Sequence, residues 1–200
     1  MDTTAQLGAR QVPLVQPRTR SQASLLARAT PDRGAAAVTE LWHFSEDPGL
    51  SRFEPRDGKV WAIDEAHSWL YWFPRDCPRA TYWAVAGQTA QEDVERRLDG
   101  DRERRIAVIE TAWLERMHAV QLYGYRMPSE PFDEVLDNRF YVASTPVEAL
   151  ERVKLGDLVE RHRAAGIDFR DAAALYPLWD EVIETTLEFS GIRLRNAVRA

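Results

Sequence analysis

His43, the first histidine in the chain, suits chemistry, because an imidazole titrates near neutrality and can move a proton or orient a sugar hydroxyl. Ser45, two residues on, adds a hydroxyl that can bond a ligand or close the next turn. Trp61 and Trp72, eleven positions apart, offer flat apolar faces that can stack on a planar base or fill a core. Arg75 and Arg79 bracket Asp76-Cys77-Pro78, and two guanidinium forks on a proline-stiffened loop suit a phosphate. Asp76 can equally pair with either arginine and lock the loop. Arg193 and Arg195 can bring further cations to that pocket, or simply complement a helix end. Cys77 as a nucleophile would need a base and a lowered pKa, whereas its flanking prolines favour a small buried residue in a turn. His-x-His, His-Glu-x-x-His and Cys-x-x-Cys spacings do not occur, so no metal site is expected.

The elements that must hold these residues begin near Thr39. Residues 41–45 carry strand-favouring Trp42 and Phe44. Turn residues at 46–49 and 55–58 bound a second segment, and the apolar run 60–63 reads as a buried strand. Asp64 should cap a helix through Phe73, with Ala66, Trp69, Leu70 and Phe73 on one face and Pro74 ending it. Strands are expected over 79–86, 105–109, 121–127 and 139–143. Thr89 with Glu92 has the form of a capping box opening a polar helix. Helices are further expected over 112–119, over 155–165, and over a long stretch 171–195 interrupted at Pro177. Strands and helices do not alternate regularly. The expected class is therefore α+β, a bent and mainly antiparallel sheet with a helical C-terminal cover.

Composition narrows the function classes. The 200 residues suit one domain, and 44% hydrophobic content can build a core. Residues 1–38 hold five arginines against two aspartates, a balance of +3, so the rest carries −9 of the net −6. This segment lacks aromatic residues and apolar periodicity, and we expect a disordered extension preceding a single domain over 39–200. An acidic chain argues against dedicated nucleic-acid binding. No apolar run approaches a membrane span, and the single cysteine fits a reducing, cytoplasmic setting. Two lysines against 24 arginines read first as coding bias.

The order of His43-Phe44-Ser45, Trp61 and Trp72, joined through Ala62-Ile63-Asp64-Glu65-Ala66, resembles the ADP-ribosyltransferase-like fold. The resemblance implies NAD or a related nucleotide as cofactor or ligand. His43 and Ser45 would hold ribose, Trp61 and Trp72 would sandwich the base, and Arg75 and Arg79 would face phosphate. It also implies cleavage of an N-glycosidic bond with a carboxylate stabilising the transition state, for which Glu110 and Glu148 are the candidates. Phe44 stands where the family has a glycine, and tryptophans stand where it has tyrosines. The blocks LWHFSEDP, VWAIDE, FPRDCPR and FSGIRLRNA also resemble a small bacterial family of unknown function over about 39–197. The alternative to an enzyme is a non-catalytic ligand-binding or interaction domain.

Overall fold

The computed structural model describes residues 40–136 and 139–199, so the expected disordered extension at 1–38 lies outside the described residues. The strands are β1 (Leu41–Ser45), β2 (Arg52–Phe53), β3 (Val60–Asp64), β4 (Arg79–Trp83), β5 (Arg105–Glu110) and β6 (Tyr123–Met127). They continue with β7 (Asp133–Leu136), β8 (Phe140–Ala143), β9 (Val147–Glu148), β10 (Glu151–Lys154), β11 (Ile167–Ala172) and β12 (Glu188–Ile192). The helices are α1 (Gln91–Leu98), α2 (Leu114–Ala119), α3 (Leu158–Ala164) and α4 (Tyr176–Ile183), with short 3-10 turns at Ser68–Tyr71, Thr111–Trp113 and Leu194–Asn196.

The class is α+β with mainly antiparallel pairing, but the strands form two sheets and a small ribbon rather than one bent sheet. One sheet has six antiparallel strands in the order β10-β6-β1-β3-β8-β7. The other has four, β11-β5-β4-β12, in which only the β11–β5 pair is parallel. β2 and β9 form the ribbon.

Strand alternation distributes the core over three layers. Ala107 and Ile109 of β5 pack into the layer between the sheets, with Trp69, Leu70, Leu158 and Val159. Ile106 and Val108 face the opposite way, onto Val94 and Leu98 of α1 and Trp179 and Val182 of α4. On the outer face of the six-stranded sheet, Leu41, Val60, Ala62 and Tyr125 are covered by Phe53 and Val147 of the ribbon.

Three helical expectations need correction. Asp64 does accept the His67 amide at 2.8 Å, but only the 3-10 turn Ser68–Tyr71 follows. There the large rings of Trp69 and Trp72 separate to pack on different neighbours, Trp83 and His162. Thr89 forms no capping box. Its hydroxyl accepts the Val85 amide and donates to the Thr186 carbonyl, and the α1 N-cap is Ala90.

The long C-terminal helix is three elements. β11 runs to Ala172, Pro177 sits in the first turn of α4 instead of breaking it, and Phe189 lies in β12. The C-terminal cover is thus half sheet. Gly191, which by type disfavours helix, lies in β12, where its role is close approach. A Cβ there would lie 2.5 Å from Trp179 Cη2 and 2.7 Å from Leu194 Cδ1. Gly191→Ala is expected to destabilise by about 1–3 kcal/mol through overpacking. Chemical denaturation measures this, and adding the smaller Trp179→Phe should recover part of the loss.

Candidate functional site

β1 presents alternate residues to opposite faces of its sheet. Trp42 and Phe44 pack toward the second sheet, whereas Leu41, His43 and Ser45 lie on the ribbon side. Gly124 of β6 pairs with Phe44 across the sheet. A Cβ at Gly124 would sit 3.1 Å from the Phe44 ring and 3.3 Å from that of Trp42, so the glycine lets both rings settle on the sheet. Their planes are 18° from parallel with centroids 6.4 Å apart.

Above these rings lies a cavity of about 310 Å³. Trp42, Phe44, Gly124 and Leu155 form its floor. Trp69, Trp72 and Ser68 come from the 3-10 segment, Glu65 stands at the strand end, and Arg161 and Arg105 come from α3 and β5. The size is at the small end of ligand sites, which span roughly 300–1,000 Å³.

Arg161 sets the electrostatics. Its guanidinium lies 4.4 Å from the centre of the Trp72 ring. Burial lowers its pKa, and no carboxylate pairs with it among the described residues. The Arg161 Nε and Trp72 Nε1 donors are buried without a partner. Arg105 donates to the Ala165 carbonyl at 3.4 Å.

The residues singled out in the sequence do not converge on this cavity. Trp72 lines it and Trp61 does not, so these two tryptophans do not sandwich a ligand there. The Trp61 ring has Lys59 Nζ 5.5 Å from its centre. His43 is on the far side of the sheet, with its ring 4.8 Å from that of Phe53. Pairing of β1 with β3 stops at Trp42, and the Trp61 carbonyl beyond it is bonded to His43 Nδ1 at 2.8 Å. Burial lowers the His43 pKa, with the Arg56 and Arg75 charges adding to the effect against the carbonyl bond. A neutral imidazole meeting a carbonyl must carry its proton on Nδ1. Ser45 takes the blander of its two roles and accepts the Asp47 amide at 3.2 Å.

The arginine loop opens rather than forming a fork. Arg75 is exposed, and its amide donates to Glu46 at 2.8 Å. Arg79 is buried over the Phe73 ring and donates to the Leu70 and Cys77 carbonyls, its pKa lowered to about 10 by burial. Arg193 does reach the loop, as a strut: Nε donates to the Arg75 carbonyl at 3.2 Å, and Asp76 Oδ1 is 3.9 Å away. Asn196 donates to the Asp76 carbonyl, and Arg195 is exposed. Cys77 is buried and its thiol is pushed up to about 12 by burial, which suppresses the thiolate.

Neither candidate carboxylate serves the cavity. Glu110 is buried and accepts the Leu175 and Val198 amides, and Glu148 is exposed 3.5 Å from Arg52. Among the described residues, no group of three or more His, Cys, Asp or Glu is placed to hold a metal.

Trp42, Phe44, Trp69 and Arg161 are the cavity residues that sequence reasoning missed. The i, i+2 aromatic pair on β1 was the available signal. Arg161 had none, because its partner Trp72 is remote in sequence.

The fold and cavity together define an α+β protein with an aromatic, arginine-walled groove between two sheets. The chain belongs to the family of unknown function DUF6886, which matches residues 42–197. No curated protein and no solved structure matches it. Among the described residues, no helix is long and apolar enough to cross a membrane.

Proposed function

We propose that the domain is a binding module for a planar aromatic small molecule of the nucleotide class, held in the groove between the two sheets. The observation that carries this is the convergence of Trp42, Phe44, Trp69 and Trp72 on one cavity. An aromatic face stacks on any planar ring and is tolerant of its identity. The volume suits one ring system with its substituents better than a full dinucleotide such as NAD. Binding without N-glycosidic chemistry is favoured because His43, Glu110 and Glu148 all lie away from the groove lining.

Equilibrium titration followed by tryptophan fluorescence and calorimetry tests the reading with AMP, GMP, ADP-ribose and NAD. Saturable quenching is expected with a mononucleotide, with NAD binding no tighter. Trp42→Ala should weaken it by about 1–3 kcal/mol, the effect of losing one stacking face. Absence of heat, quenching and thermal shift with all four at millimolar concentration would overturn it.

A further inference from the structure

We propose that Arg161 and Trp72 form an oxyanion site in the wall of the groove, taking the phosphate or carboxylate group of the bound ligand. This rests on the groove being a ligand site, but its evidence is separate. Buried hydrogen-bond donors are nearly always paired in native proteins, so each exception asks for a missing acceptor. Here two such exceptions, Arg161 Nε and Trp72 Nε1, belong to two residues of one cavity lining whose guanidinium and ring centre are 4.4 Å apart.

The chemistry of the two groups is complementary. A guanidinium over an indole ring has its N–H donors in its own plane and can fork onto two oxygens. The indole N–H adds a third donor and offers no acceptor. Both therefore call for an acceptor-rich partner, and an oxyanion supplies several lone pairs as well as the opposing charge. A half-buried cation with no carboxylate beside it is costly, and burial correspondingly lowers the Arg161 pKa. Arg105 is a second cation on the lining, and Glu65 is an exposed acid there that pairs with neither arginine among the described residues. The local balance remains positive.

Two measurements on the full chain test this. The first is thermal unfolding in sodium phosphate and in sodium acetate against chloride at matched ionic strength, for the wild type, Arg161→Met and Arg161→Lys. A ligand that binds the native state raises Tm with the logarithm of its concentration. The wild-type Tm is expected to rise with phosphate or acetate, and which of them acts tells whether the site prefers a phosphate or a carboxylate. The rise should vanish in Arg161→Met and be reduced in Arg161→Lys, which keeps charge but loses the fork.

The second compares AMP with adenosine. AMP should bind the wild type about tenfold tighter or more, the effect of one hydrogen bond to a charged group. Arg161→Met should abolish the preference for AMP over adenosine, both measured on the same variant. If adenosine and AMP bind alike, with or without Arg161, the oxyanion site is overturned and the ring-binding reading stands. An Arg161-dependent phosphate or acetate shift without any affinity for adenosine or AMP leaves the oxyanion site standing and removes the ring. No anion-dependent shift in the wild type, or an equal shift in Arg161→Met, overturns the proposal.

Discussion

Acidification from pH 6.5 to 4 is expected to remove about 3 kcal/mol of stability through His162 alone. This side chain is fully buried, with Nδ1 2.7 Å from the Leu158 carbonyl and Nε2 3.3 Å from that of Trp69. The rings of Trp72, Phe73 and Phe169 surround it with centroids 4.7–5.6 Å away. Burial pulls its pKa from 6.5 to about 4, and the Arg79 and Arg161 charges act in the same direction against the two carbonyls. The folded value lies below the unfolded one, so between them the unfolded chain takes up a proton that the native state refuses. Stability is therefore intact above the unfolded value, falls through this window, and levels off below about pH 4. His43, also lowered by burial, adds to the loss in the same sense.

The aspartates held low act later. Asp168, held below its ordinary 3.8 first by the Arg170 hydrogen bond, loses its contribution only below that pH. Urea denaturation at neutral pH and near pH 4.5 separates the effects. The wild-type midpoint should drop steeply over this interval, and His162→Gln should flatten the dependence whatever its effect at neutral pH. Equal slopes in the two proteins would show that the acid sensitivity resides elsewhere.

His162 also shows why the sequence was legible only in part. Its ring neighbours Trp72, Phe73 and Phe169 come from the segment after the 3-10 turn and from β11, and those contacts leave no local pattern. Strands with a buried face were readable: β1, β3, β4, β5, β6 and β8 each fall within or beside a stretch rich in apolar, aromatic or β-branched residues. The short or exposed strands β2, β7, β9 and β10 were not, because residues such as Glu151, Arg152 and Lys154 follow solvent and a partner strand rather than a core. β12 was lost to a helical reading over 171–195, and β11 went unread because Asp168, Arg170 and Asp171 dilute its apolar residues.

The expected site residues lie apart from the groove for a related reason. His43 and Trp61 were grouped by order along the chain, yet the faces they occupy depend on alternation, and one residue decides the side of the sheet. Alternation from Leu41 puts Trp42 and Phe44 on the groove face and His43 on the opposite one. Arg75 and Arg79 were likewise grouped by spacing. Their separation is in depth, with Arg79 buried where its guanidinium meets two carbonyls and a ring.

Breaking the buried pair between Arg139 and Glu188 is expected to cost about 3–5 kcal/mol, the range for stranding one charge of a buried salt bridge. Their side chains are 5% and 8% exposed, with Arg139 Nη2 2.8 Å from Glu188 Oε1. Arg139 precedes β8 of the six-stranded sheet, and Glu188 opens β12 of the four-stranded one, so the bond pins the sheets to each other. The Arg139 guanidinium also sits 5.4 Å from the Trp83 ring, which makes an edge contact with Trp69 at 5.5 Å, and Trp69 lines the groove. Arg139→Met keeps much of the volume but leaves the Glu188 carboxylate buried without its counter-charge, so the full penalty should appear in the denaturation midpoint. Replacing both residues with apolar ones, Arg139→Met with Glu188→Leu, removes the stranded charge and should recover most of the stability. If the double variant is as unstable as the single, the pair matters through packing against Trp83 rather than through its charge. Because the groove floor belongs to one sheet and Arg105 to the other, the single variant should also weaken ligand binding at temperatures well below its Tm. The double variant should regain stability before it regains affinity, since apolar contact restores cohesion between the sheets without restoring the fixed geometry of a charged bond.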